Sequence, residues 1–312
     1  MAIRHPSGVI DLPAHALTRR SAIGVVLAAV LGAIPGKLRA GGQSVTRVRR
    51  AYHDGRFGQL HYRIAGTAAA GGPRPLLCLH GSPYSGRIYE TFLAVMGADR
   101  IALATDTPGF GDSDPPATVP AMSDHAAAIG DLLDASAFGE IDLLGCQAGS
   151  ALAVELALQR PRQVRRVAMI SAPLFTRAEI DARKGRLGPV VPAADGSHLA
   201  EAWRRIVGSA MPGWTLDHAA TQFPDVIRQP AISWWGEATM LDYPLADRLP
   251  QLRQSILLLN PQDEWQDRTR RARALAANVD FRELPGWRLG FLDIRADELA
   301  GILRGFLDPA GA

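Results

Sequence analysis

Cysteine is nearly absent from this chain: Cys78 and Cys146 are the only two in 312 residues. That excludes a disulfide scaffold, and neither residue has the spacing of a metal-ligand motif. Both fall in apolar, strand-like runs, so buried free thiols are expected. An excess of charge is missing as well. The formal net charge is +3, but five of the 34 Lys/Arg and one of the 31 Asp/Glu lie in residues 1–40. The remaining 29 basic and 30 acidic residues balance, so the chain offers no basic face for a nucleic acid. No internal repeat or low-complexity tract is visible. What remains is 47% hydrophobic and 21% charged, the composition of a globular domain with enough length to bury a large core.

The leader carries its own information. In ALTRRSAIGVVLAAVLGAIPGKLRA an Arg19-Arg20 pair precedes the uncharged stretch 22–34. Thirteen residues are too few to cross a bilayer, which takes about 20, so no stable membrane span is expected. The order of basic, mildly apolar and polar segments fits an export signal, and Thr18-Arg19-Arg20 resembles a twin-arginine one. Ser21-Ala22-Ile23 lacks the bulky apolar pair usual after the arginines, and Leu38 is a poor residue three positions before a cut after Ala40. The expectation is a signal over 1–40 and an exported, periplasmic or extracellular domain over 41–312.

From residue 45 the pattern alternates. TRVRRAYH and LHYRIAG flank Asp54-Gly55 as two strands. PLLCLH (75–80), RIALATD (100–106), EIDLLG (140–145), VRRVAMISAP (164–173) and ILLLN (256–260) are apolar runs of the kind buried parallel strands show. VDFREL (279–284) follows as another strand. Helical patterns separate them, ending with one over 296–307. Strands alternating with helices predict an α/β fold, a doubly wound and mostly parallel sheet. Residues 174–250 are helical in pattern and rich in tryptophan, which predicts a helical lid inserted before the last two strands and lying over their C-terminal ends. Trp203, Trp214, Trp234 and Trp235 either face an apolar pocket there or form the insert's own core.

Two further absences concern chemistry. The stretch DLLGCQAGS (142–150) runs a strand into a helix with small residues at 145 and 149, the spacing of a nucleophile elbow. Its apex is Gln147, a carboxamide and not a nucleophile. Shifting the register to Cys146 would put Leu144 where a small residue is required. The second absence is histidine: the eight histidines end at His218.

Together with LHGSP (79–83), DTPGFGDSD (106–114), NPQDEW (260–265) and LPGWRLGFLD (284–293), the GCQAG elbow resembles the α/β-hydrolase fold family. The likeness is to its lid-bearing group of esterases, epoxide hydrolases and haloalkane dehalogenases, over residues 45–310. The resemblance implies a triad in the order nucleophile, acid, histidine. It sets Gln147 at the nucleophile position, Asp263 at the acid position with Glu264 beside it, and Leu289 where the histidine belongs. It also implies an oxyanion hole in the HGSP loop, His80, Gly81 and Ser82, closed by the N–H of Ala148. Asp106, Gly109, Gly111 and Ser113 read as a structural loop. Asp263 reads equally as a helix N-cap. His80 is either a loop-fixing hydrogen-bonding group or a relocated acid/base. No metal or cofactor is implied.

Two readings follow. In the first, the protein is a pseudo-hydrolase, or a weakly active one, binding a small apolar carbonyl- or ester-like molecule. In the second, it is an active hydrolase or lyase using Asp263, His80 and Gln147 in a non-standard acid/base mechanism.

Overall fold

The computed structural model describes residues 46–69, 71–276 and 278–309. The export-signal expectation lies outside them. The strands are β1 (Arg49–Gly55), β2 (Gly58–Ala65), β3 (Leu76–Leu79), β4 (Ala102–Thr105), β5 (Ile141–Cys146), β6 (Val164–Ile170), β7 (Ser255–Pro261) and β8 (Val279–Leu284). Among the described residues they form one eight-stranded sheet in the order β1-β2-β4-β3-β5-β6-β7-β8. β1–β2 and β2–β4 pair antiparallel, and every other pair is parallel.

The apolar runs become the centre of this sheet because both its faces are covered. Every residue of β3, β4 and β5 is buried. On one face, α2 (Met122–Ala135) and α3 (Ala148–Gln159) pack Ile129, Leu133 and Leu156 against Leu77, Leu143 and Val167. On the other, α1 (Glu90–Met96) and α11 (Ala296–Leu307) pack Phe92, Leu93 and Leu303 against Cys78, Leu144 and Leu257. The alternation of inward residues on α11 is the 3.6-residue period of an amphipathic helix.

Between β6 and β7 lie α4 (Arg177–Lys184), α5 (Ser197–Ser209), α6 (Leu216–Ile227), α7 (Trp235–Asp242) and α8 (Leu245–Arg248). The helical insert therefore sits before the last two strands. After β7 come α9 (Gln266–Arg273) and, after β8, α10 (Phe291–Ile294). Two boundaries differ from the sequence pattern. β6 stops at Ile170 rather than continuing to residue 173, because Ser171 takes φ 59° and turns the chain out of the sheet. Asp263 is not the cap of α9: the helix begins at Gln266, with Trp265 in the cap position.

No helix among the described residues is long and apolar enough to cross a membrane.

Candidate functional site: a substituted elbow and its surroundings

Because β3 to β8 are parallel, their C-terminal ends open on one edge, and the loops carrying residues 80–85, 106–113, 147, 171, 263 and 285–290 meet there. The elbow is at the centre. Gln147 sits between β5 and α3 at φ 52°, ψ −114°, a conformation that costs a side-chain-bearing residue energy. The flanking glycines are sterically required. A Cβ on Gly145 would lie 2.2 Å from the Gly149 carbonyl oxygen, and one on Gly149 would lie 2.0 Å from that of Leu79. The Gln147 N–H donates to Ile170 O at 2.8 Å and its carbonyl accepts from Ser150 N at 2.9 Å, so the backbone of the turn is fixed.

The carboxamide folds against the HGSP loop: a Cβ on Gly81 would lie 2.7 Å from Gln147 Oε1. The N–H groups of Ser82 and Ala148 have no backbone acceptor among the described residues. Cys146 is the last residue of β5 and buried, and burial pushes its thiol far above the ordinary range, which denies it a nucleophile's thiolate.

Asp263 emerges from β7 beside Ser171, the residue that follows the neighbouring β6. Ser171 Oγ donates to Asp263 Oδ2 at 2.6 Å, and Trp265 N–H donates to Oδ1 at 2.8 Å. Both carboxylate oxygens are thus engaged, one by a hydroxyl and one by the backbone. Burial raises this carboxyl above its ordinary range and the Ser171 hydrogen bond opposes the rise. Nothing in the sequence marked Ser171; a single small residue after a strand has no pattern.

His80 is buried and both its ring nitrogens are occupied. Nδ1 is 2.9 Å from Gly81 O, and Nε2 accepts from Thr107 N–H at 2.9 Å. This arrangement requires the neutral Nδ1–H tautomer, and burial lowers the pKa in the same direction. His80 ties the β3 loop to the β4 loop.

The chain at 289 pairs with Ala210 at the end of α5, with Met211 N–H donating to Leu289 O at 2.9 Å. The side chain packs on the insert's cluster of Ile206, Trp214 and Ala219. Trp214 Nε1 and Gln222 Nε2 both donate to Asp293 Oδ2, at 2.6 and 3.0 Å. Trp203 stacks edge-on against Phe223 within the same cluster. The insert is fastened elsewhere too. Asp225 on α6 is buried and accepts from Ser85 Oγ at 2.5 Å and Arg87 Nε at 3.2 Å. Gly236 on α7 lies so close to Ser82 that a Cβ there would come 2.3 Å from its Oγ.

A small cavity remains between these parts. It is lined by His80, Ser82, Thr107 and Phe110 from the loops, Met122 and His125 from α2, Ala148, Gly149 and Leu152 from α3, and Gly236 and Thr239 from α7. Its volume is ≈ 20 Å³. That admits a water and falls short of a substrate molecule.

Asp106 anchors the β4 loop. Its carboxylate is fully buried and is met by His61 Nδ1 at 2.8 Å, Arg63 Nη1 at 3.2 Å, and the N–H groups of Gly86 and Asp112 at 2.8 and 2.9 Å. Gly111 (φ 55°) is held against it: a Cβ there would lie 2.1 Å from Asp106 Oδ2. His61, Asp106 and Asp112 bring ligand-type atoms within 4.8 Å of one another. The Arg63 guanidinium and two amides already satisfy the Asp106 carboxylate, so the donor set does not fit a cation.

The fold and the strand-to-helix elbow define an α/β-hydrolase architecture with a helical insert. The sequence profile of the alpha/beta hydrolase family matches residues 76–302, and the chain belongs to that family. A segment of 97 residues is 33% identical to a haloalkane dehalogenase of Mesorhizobium japonicum; the match spans 31% of each chain. Among solved structures, a hydrolase from Pseudomonas aeruginosa superposes with TM-score 0.69 at 20% identity, covering 83% of this chain and 98% of that one. An enol-lactonase from Burkholderia xenovorans does so with TM-score 0.68 at 16% identity, covering 82% and 99%. At these identities the structural likeness speaks for the fold alone.

Proposed function

We propose that this is an exported α/β-hydrolase-fold protein that binds a small carbonyl- or ester-like molecule and has lost the family's acyl-transfer chemistry. One observation carries the reading: the elbow is intact, yet its apex is Gln147 and no histidine follows Asp263 in the chain. A carboxamide cannot form the acyl intermediate, and Asp263 has no imidazole after it to orient. The oxyanion donors are backbone groups, so they survive loss of the side chains and can hold a carbonyl oxygen without turnover. Export rests on the Arg19-Arg20 leader.

The alternative, acid/base catalysis through Asp263, His80 and Gln147, is weakened at His80. Both its nitrogens are committed to backbone groups, and protonating Nε2 would break the bond from Thr107. Asp263 keeps an upward-shifted carboxyl, so it is the residue through which that mechanism would have to run.

The test is hydrolysis of activated esters, lactones, epoxides and haloalkanes by the full chain, with Gln147→Ala and Asp263→Asn alongside. The expected result is the same background rate from all three. Wild-type turnover well above Gln147→Ala, or abolished by Asp263→Asn, would overturn the reading. Export is tested separately: Arg19→Lys with Arg20→Lys should retain a fused reporter in the cytoplasm.

A further inference from the structure

β8 is the last strand in the order of the sheet and pairs with β7 alone. That pairing fixes which of its backbone groups are used. Ile256 N–H donates to Asn278 O at 2.9 Å, and in a parallel ladder such bonds fall on every second residue of a strand. Residues 278, 280, 282 and 284 therefore turn their backbone groups toward β7. The N–H and C=O groups of Val279, Phe281 and Glu283 turn outward and meet no partner among the described residues. A row of that kind is a template for another strand.

The side chains decide which strand. Val279, Phe281 and Glu283 share the face covered by α9, where Arg273 lies over the Phe281 ring and Arg270 pairs with Glu283. Asp280 and Arg282 stand together on the opposite face, 44% and 41% exposed, with Arg282 Nη2 2.6 Å from Asp280 Oδ2. Charge on an edge strand ordinarily keeps two copies apart, because like charges meet when the edges approach. β8 carries opposite signs two residues apart, and that pattern is complementary to itself.

Two copies of β8 related by a twofold axis run antiparallel, and outward-facing residues must oppose outward-facing ones. The axis must then pass through a residue. In six residues, only an axis through 280, 281, 282 or 283 pairs more than one residue of each strand with its partner. At 280, 282 or 283 it sets Asp280, Arg282 or Glu283 opposite its own copy, which repels. At Phe281 it sets Asp280 opposite Arg282 twice, Val279 opposite Glu283 twice and Phe281 opposite itself. No like charges meet, and every outward N–H and C=O of the three residues finds a partner.

We propose that β8 is the subunit interface of a homodimer, with a second copy of this chain added antiparallel across an axis at Phe281, so that two sheets become one. β8 leads directly into the loop 285–290, so the partner braces from outside the strand that carries Leu289. This contact is independent of what the elbow binds.

Sedimentation velocity of the full chain tests it. Wild type should sediment as a dimer that dissociates on dilution. Asp280→Arg and Arg282→Asp each place like charges opposite one another twice, and each should weaken the dimer by about tenfold or more. Asp280→Arg combined with Arg282→Asp exchanges the charges and should restore it. The two single variants mixed in equal amounts should form a heterodimer, because each supplies the charge the other lacks. A substitution that merely damaged the fold would not be cured by a second damaged chain. If a single variant does not fold, Phe281→Cys decides. Two thiols at the axis should join in oxidised glutathione, the native cysteines being buried, while Val279→Cys, opposite Glu283, should stay reduced. Four results overturn the proposal: a wild type monomeric at every concentration, a dimer indifferent to Asp280→Arg, folded single variants that do not associate on mixing, or no disulfide from Phe281→Cys.

Discussion

At residue 147 the backbone is held in a conformation that glycine adopts freely and glutamine does not. The strained turn has been kept although the side chain it would present to a substrate cannot attack. The cost can be measured. Gln147→Gly should raise stability by about 1 kcal/mol, strain relief outweighing the added freedom of the unfolded chain. In a chain of this size that is a Tm increase of about 2–4 °C. A lower Tm would mean that the contact between the carboxamide and Gly81 outweighs the strain. The flanking glycines should behave in the opposite way. Gly145→Ala and Gly149→Ala drive a methyl into backbone carbonyls 2.2 and 2.0 Å away, and backbone cannot step aside. Each should cost on the order of 4 kcal/mol or prevent folding. Gly139→Ala, with nothing within 4 Å, should leave the melting curve in place. Ser171 is the other strained residue of the site, at φ 59°, and its hydroxyl holds the carboxylate of Asp263.

At the scale of elements, the insert and the loop after β8 form one unit. Leu289 gives its carbonyl to Met211 and its side chain to the cluster around Ile206 and Trp214. Leu289→His therefore does not simply return an imidazole to an empty place. It puts a polar ring into an apolar cluster, at a cost of about 1–3 kcal/mol. The pair Gln147→Ser with Leu289→His should melt below wild type and show no esterase activity. Esterase activity from the pair would mean that the loop can turn its side chain toward Asp263. This coupling also explains what the sequence could and could not disclose. β3, β4 and β5 were legible because strands covered on both faces must be apolar throughout. The elbow was legible because two glycines at fixed spacing reflect a local steric demand. Leu289 could be placed at the histidine position, but not its partners, which lie some 80 residues earlier in the chain. Ser171 meets Asp263 only because β6 and β7 are adjacent and parallel, and His125 and the α3 terminus line one cavity only through tertiary packing. A lone serine and a lone histidine carry no periodic signal that would announce either contact.

For the molecule as a whole, these buried groups set how stability responds to acid. His125, with a pKa near 4, and His80, also lowered, are neutral in the folded chain where the unfolded chain would bind protons at an ordinary histidine pKa of 6.5. Between those values the unfolded state holds more protons, so stability is fully present above about pH 6.5 and declines as pH falls toward 4. The raised carboxyls of Asp142 and Asp263 act against this decline, because they take up protons in the folded state first. For His125 alone the loss between pH 7 and pH 5 should be about 2 kcal/mol. His125→Leu isolates it: the leucine removes the unpaired nitrogen and the titration together, while His80 and the carboxyls remain. Thermal melts at pH 7 and pH 5 should therefore show a smaller fall in Tm for His125→Leu than for wild type. Equal falls would mean that His125 takes up its proton near the ordinary value in the folded chain. That outcome would require a cavity far better hydrated than one with room for a single water.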